Sequence, residues 1–320
     1  MDLFINLGIT VGALLLILWA WKSPEKKTAS AASATTARAA QTPTTSVVAP
    51  AGNPEKDFAG KVAIVTGGGT GLGKSIALSL AKRGAKVVIA SRDAKHLSAA
   101  AEEIEKLGGE VLTFPFDVRN PEMVEALMKH TVERFGRIDI LINNAAGNFL
   151  VQAEKLTPNG WNAVIGIVLN GTWYCSSFAG RQMLEQGGGC ILNIIANYAS
   201  TGAPGVVHSG AAKSGVLNMT RTLAAEWGRY GIRVNALSPG AMVTSAASKN
   251  LGFDTPEAQE KIRLGIPIGR LTSADEMAEY AIFLCSDKAS YITGDVMTAD
   301  GGQWLPRGLM DLQKDIQAPK

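Results

Sequence analysis

From residue 57 onward, short apolar runs alternate with longer segments whose apolar residues recur every three or four positions. The runs predict strands buried on both faces, and the longer segments predict amphipathic helices laid against them. Residues 61–66, 86–91, 110–116, 138–143, 189–196, 232–238 and 295–299 read as strands. Helices are expected over 72–83, 95–107, 121–135, 158 to about 185, 209–230 and 273–285. Thr157 followed by Pro158 is an N-cap signature for the long one. Strand–helix alternation of this kind predicts the α/β class: a doubly wound, Rossmann-type parallel sheet of about seven strands in one domain.

The first residues follow another pattern. Leu3 to Trp21 is an uncharged apolar run, which as a helix would span about 28 Å, roughly one hydrocarbon layer. Trp19 and Trp21 sit at its end, and Lys22, Lys26 and Lys27 follow, whereas Asp2 is the only charged side chain before it. Aromatic residues favour the interface and cations stay inside, so this reads as an uncleaved anchor with the rest of the chain facing the cytoplasm. A cleaved signal peptide is the alternative, although no positive n-region precedes the run. Residues 28–52 are almost wholly Ala, Thr, Ser, Pro and Val. Such a segment buries too little to offset its ordering entropy and reads as a flexible tether; a transit peptide is the other reading. The expected organisation is an anchor at 1–22, a linker at 23–56, a catalytic domain at 57–308 and a tail at 309–320.

Composition removes several function classes. The chain has 320 residues, 46% of them hydrophobic, enough for one α/β core. A net charge of +3 among 18% charged residues leaves no basic stripe, so nucleic acid is not implied. Cys175, Cys190 and Cys285 lie far apart and read as free thiols. With only His96, His130 and His208 to join them, no metal cluster is expected.

Chemistry begins at the run Thr66-Gly67-Gly68-Gly69-Thr70-Gly71-Leu72-Gly73, between the first strand and a helix. Glycines let the backbone turn sharply and approach a pyrophosphate, which the helix N-terminus then meets. The second strand ends in Ser91 and Arg92, where an NAD-specific site would carry an acid. A guanidinium there makes a bidentate contact with a 2′-phosphate, so NADPH is expected rather than NADH; a solvated arginine near Asp93 is the plainer alternative.

These features resemble the short-chain dehydrogenase/reductase family over residues 58 to about 305. The matching runs are TGGGTGLG at 66–73, NNAAG at 143–147, Asn170 in the long helix and Pro239-Gly240 after the sixth strand. The resemblance implies cofactor contacts from the glycine loop, Asp117 and Val118 on the adenine side, Asn144 and Ala145, Pro239 and Gly240. It implies Thr244 at the nicotinamide carboxamide and Lys213 at its ribose. It also implies a homotetramer packed through the fourth and fifth helices, and a substrate lid over 245–267.

The family's Tyr-x-x-x-Lys is Ser209-Gly210-Ala211-Ala212-Lys213 here, and Ala196 stands where a second hydroxyl is usual. Tyr198 lies two residues further on. This pattern, with NNAAGNF at 143–149 and IVLNGT at 167–172, resembles 2,4-dienoyl-CoA reductases and the neighbouring peroxisomal-type enoyl-CoA reductases. The resemblance implies catalytic roles for Tyr198, Ser209, Lys213, Asn148 and Asn170. It further implies NADPH-dependent hydride addition at the δ carbon of a fatty acyl-CoA dienoyl thioester, giving a 3-enoyl product. Other readings stay open: a trans-2-enoyl-CoA reductase, a ketone or hydroxysteroid reductase using Tyr198 as acid, and an inactive cofactor-binding scaffold at a membrane.

Overall fold

The computed structural model describes residues 56–244 and 251–305. Seven parallel strands form one sheet in the order β3-β2-β1-β4-β5-β6-β7. They are β1 Val62–Thr66, β2 Lys86–Ser91, β3 Val111–Pro115, β4 Ile140–Asn143, β5 Gly189–Ile194, β6 Ile232–Pro239 and β7 Val296–Ala299. Each expected strand is present, most of them trimmed or extended by a residue or two at the ends.

The period-two geometry of a strand divides its side chains between two cores. Ala63, Val65, Val87, Ile89, Ile142 and Leu192 enter one. Helices α1 Gly71–Lys82, α2 Ala94–Lys106 and α9 Ala274–Cys285 cover that face. Ile64, Val88, Leu141, Ile191 and Val234 enter the other. It is covered by α3 Pro121–Phe135, α5 Gly171–Gln186 and α7 Val207–Trp227. Each fully buried Leu or Ile contributes roughly 1.5–3 kcal/mol, so both faces hold the sheet. β3 lies at the sheet edge and ends in Pro115, where a missing N–H costs no ladder bond.

The long fourth helix is α4 Pro158–Ile165 and α5, joined by a π-helical turn at Gly166–Asn170. Thr157 caps it as expected, its hydroxyl accepting the Gly160 N–H. Two helices were not anticipated: the single turn α6 Tyr198–Thr201 and α8 Pro256–Arg263, which stands within the segment expected to be a lid. Residues 245–250 of that segment lie outside the described residues, as do the expected anchor, all but the last residue of the linker, and the tail. Among the described residues no helix is long and apolar enough to cross a membrane.

Gly180 of α5 abuts Trp227 at the end of α7, and a Cβ there would come within 2.5 Å of the indole. Gly180→Ala should therefore cost about 1–3 kcal/mol by overpacking, read as a lower thermal melting temperature with unchanged far-ultraviolet circular dichroism.

Candidate active site

The sheet order reverses direction at β1, whose neighbours are β2 and β4. In a doubly wound sheet the crevice at the carboxyl ends of those strands is where ligands sit. A cleft of about 1070 Å³ opens there. Directly before Gly67, which lines it, stands Thr66, a buried residue that sequence reading treats only as part of the glycine run. The Thr66 hydroxyl donates to the Ile142 carbonyl at 3.2 Å. It accepts the N–H groups of Asn144 and Ala145, both at 3.0 Å. The Asn144 amide returns a bond to the Thr66 carbonyl at 3.0 Å. Loop and turn are thus tied into one cradle.

The glycines divide by job. Gly67 and Gly71 adopt φ of 67° and 53° and line the cleft beside Gly69, Thr70 and Leu72. Gly73 and Gly240 do not line it. A Cβ on Gly73 would meet the Gly67 carbonyl oxygen at 2.3 Å, and one on Gly240 would meet the Asp300 Cα at 2.7 Å. They shape the cleft from behind. Thr70 caps no N–H of α1 through its side chain, which leaves first-turn donors for an anion.

Ser91 and Arg92 also line the cleft, together with Lys95 and His96, which sequence reading did not single out. Asp93 does not pair with Arg92, because its carboxylate caps α2 by accepting the N–H groups of Lys95 and His96. Asp117 and Val118 lie on the same side. Asp117 is gripped by Arg119, whose guanidinium holds the carboxyl below its usual range with help from the charge of Arg92. Ala145, Pro239 and Thr244 complete the lining on the other side. A phosphate-sized cradle, an uncapped helix start and a guanidinium at the end of β2 fit a phosphorylated nicotinamide dinucleotide.

At the far end stands the hydroxyl cluster. The Tyr198 hydroxyl is 2.9 Å from the Ser209 hydroxyl, and the Asn148 amide donates to it at 3.2 Å. Burial pushes the Tyr198 pKa up, more than these two hydrogen bonds pull it down. Tyr198 is therefore a neutral phenol at physiological pH, fit to donate a proton bond. Lys213 is buried behind it and donates to the Ile194 carbonyl at the end of β5. Burial lowers its pKa to about 8.

The structure does not bring Asn170 into the cleft. It is exposed on the π-helical turn and lines no part of the cleft. Val168, two residues earlier, faces the cleft instead. Two helical residues lie roughly 200° apart, so both cannot point inward. The spacing of buried Val164 and Val168 was the available signal, since residues four apart share a face.

The family profile described as Enoyl-(Acyl carrier protein) reductase matches residues 67–303. The chain belongs to the short-chain dehydrogenase/reductase family. The probable 2,4-dienoyl-CoA reductase [(2E)-enoyl-CoA-producing] of Bacillus subtilis (strain 168) is 49% identical over 247 residues, 77% of this chain and 97% of that protein. The peroxisomal 2,4-dienoyl-CoA reductase [(3E)-enoyl-CoA-producing] of Rattus norvegicus is 41% identical over 77% of this chain and 84% of its own. A crystal structure of a short chain dehydrogenase from Bacillus anthracis superposes with a TM-score of 0.71 at 49% identity, covering 78% of this chain and 98% of that one.

A dinucleotide held through the Lys213 ammonium should bind less tightly as pH rises through about 8, because the proton that supplies the charge is then lost. Affinity read by fluorescence titration should fall by up to about tenfold per pH unit above that value. A flat profile from pH 7 to 9.5 would remove Lys213 from the binding site.

Proposed function

We propose that this protein is an NADPH-dependent 2,4-dienoyl-CoA reductase. The observation that carries the reading is the Tyr198–Ser209–Asn148 cluster with Lys213 behind it. NADPH supplies the hydride. The residues respond to where charge goes: hydride arrival at the δ carbon of a conjugated thioester sends negative charge to the remote thioester oxygen. The neutral Tyr198 hydroxyl accepts from the Asn148 amide and shares a hydrogen bond with Ser209; with Ser209 as the donor in that bond, the phenol has its own proton free to donate to the thioester oxygen. Donors converging on the phenol oxygen make it a stronger hydrogen-bond donor. Lys213 adds positive potential from beneath and orients the nicotinamide ribose. Asn148 keeps Tyr198 in place, since its own carbonyl oxygen is held by the Phe149 N–H. Protonation at the α carbon then leaves a 3-enoyl-CoA.

The names of the relatives support this reaction class. They divide over the product, 2E-enoyl for the Bacillus subtilis protein and 3E-enoyl for the peroxisomal ones. Direct ketone reduction is disfavoured by the cluster itself. It needs an acid whose pKa is lowered, whereas Tyr198 is raised.

Two further parts of the proposal rest on sequence and surface. The run from Leu3 to Trp21 anchors the protein at a membrane with the reductase facing the cytoplasm, where amphiphilic acyl-CoAs gather. Exposed Trp161 and Trp173 along the long fourth helix support a subunit face there and hence a homotetramer.

Purified protein should oxidise NADPH with a 2,4-dienoyl-CoA much faster than with a 2-enoyl-CoA or a ketone. Mass spectrometric location of the remaining double bond should place it at carbon 3. Tyr198→Phe should cut turnover roughly 10²–10³-fold, the usual loss for one oxyanion donor; full activity in that variant would sink the mechanism. Arg92→Ala should weaken NADPH binding and leave NADH almost untouched, so an equal loss for both would reject the 2′-phosphate contact. On fractionation, full-length protein should pellet with membranes and withstand carbonate washing, while a form lacking residues 1–55 should stay in solution. Soluble full-length protein with its N-terminus intact would mean that the apolar run is not an anchor.

A further inference from the structure

We infer that Phe149 and His208 are a positioning pair for the chemistry of the cleft: their rings pack on each other and hold the Asn148 amide against the Tyr198 hydroxyl. The inference rests on the proposed role of that hydroxyl and adds the side chains that set its geometry.

Two members of the hydroxyl cluster share one base. Ser209 stands in the first turn of α7. Tyr198 opens α6, and the Ser214 hydroxyl of α7 donates to the Ala199 carbonyl of α6 at 2.5 Å. Asn148 has another origin. It lies 50 residues before Tyr198, on irregular chain that follows β4. Thr66 fixes that chain at Asn144 and Ala145, short of Asn148. Beyond Asn148, two contacts tie it to the approach and first turn of α7. The Val151 N–H donates to the Gly205 carbonyl at 3.0 Å. The Phe149 ring packs on the His208 ring, with centroids 4.5 Å apart and planes tilted by 46°.

Of these two contacts, the rings stand nearer the chemistry. Phe149 is the chain neighbour of Asn148, and His208 is the chain neighbour of Ser209. The Phe149 N–H donates to the Asn148 Oδ1 at 2.9 Å, and the Asn148 Nδ2 then donates to the Tyr198 oxygen at 3.2 Å. Ser209 meets the same oxygen at 2.9 Å. Ring contact and hydrogen bonds therefore close one circuit through Phe149, Asn148, Tyr198, Ser209 and His208. Neither ring has room to slide. His208 is wholly buried, and α4 backs Phe149 at Gly160, where even a Cβ would come within 3.1 Å of the Phe149 Cζ. Burial lowers the His208 pKa and keeps the ring neutral. Among the described residues no group bonds either of its nitrogens, so packing against Phe149 orients it rather than a polar contact. Aromatic pairs prefer defined geometries, whereas a hydrogen bond weakens steeply once its angle is lost. Without the rings the Asn148 donor drifts off the phenol.

His208→Leu and Phe149→Leu each remove one ring and leave the position apolar. Each should lower kcat by about 10–100-fold, the loss expected for a misplacement of about 1 Å. The dissociation constant for NADPH should stay within about twofold of wild type, because the rings act on the far end of the cleft. His208→Phe keeps a ring and drops the nitrogens, and should recover most of the turnover lost in the leucine variant. The double leucine variant should be no slower than the slower single one, and in an Asn148→Ala background neither substitution should slow turnover further. Multiplicative losses in the double variant, a further fall without Asn148, NADPH affinity falling in step with kcat, or a folded His208→Phe as slow as His208→Leu would each overturn the proposal. Crystal structures of wild type and His208→Leu test the pair with no substrate. The Asn148 amide should lie within about 3.5 Å of the Tyr198 oxygen in the first and beyond that distance in the second. An amide still bonded in the variant would reject the pair. An amide displaced there would uphold it even if no dienoyl-CoA were reduced, which separates this inference from the proposed reaction.

Discussion

Thr66 and Asn144 meet at the carboxyl end of the sheet, where β1 passes into the glycine loop and β4 into the turn that leads to Asn148. One hydroxyl and one amide satisfy the backbone groups that this change of direction would otherwise leave bare. In a buried site such a network is strong when complete and costly when broken. It also transmits position. The loop that would cradle a pyrophosphate and the turn that leads to Asn148 are held to the same hydroxyl, so the two share one frame of reference.

Around that frame, small residues set distances that no polar contact could set. Gly73 lets α1 close on the Gly67 carbonyl, and Gly240 lets β6 pass the backbone of Asp300. Gly171 does the same for Val118, whose side chain a Cβ would meet at 2.7 Å. Asp300 in turn accepts the Asn197 amide, which precedes Tyr198 in the chain. The walls are therefore packed from behind by close backbone contacts, and the chemistry is presented on rigid elements rather than on free loops.

Burial decides the chemistry of the hydroxyl cluster. The lysine bonds to the Ile194 carbonyl, and the phenol bonds to Ser209 and Asn148. Desolvation keeps the phenol neutral and brings the ammonium close to neutral pH. That arrangement suits stabilising charge on a distant oxygen better than delivering a proton to an alkoxide. Serine in place of the usual tyrosine at position 209 is therefore a change of task. Its short hydroxyl reaches the phenol that stands opposite, 2.9 Å away.

Much of this was legible in the residues. Period-two and period-four apolar patterns were enough to place every strand and most helices, because burial on a sheet face or a helix stripe imposes those spacings on any sequence. Glycine spacing and the Ser91-Arg92 ending located the cradle, since backbone approach and phosphate charge demand those residue types. The substitution at Ser209 and the tyrosine at 198 marked the reaction class. Other features depended on contacts between residues distant in the chain. Thr66 became the keystone only when β1 lay beside β4, and Arg233 met the Leu284 and Ser286 carbonyls only when α9 was laid across the sheet. Asn170 looked like a site residue by motif, yet the π-helical turn and the packing of Val164 and Val168 direct it outward. Sequence determines which faces must be buried and which groups must be satisfied; the meeting of strands and helices decides which atoms do the satisfying, because a hydrogen bond depends on position to within a fraction of an ångström.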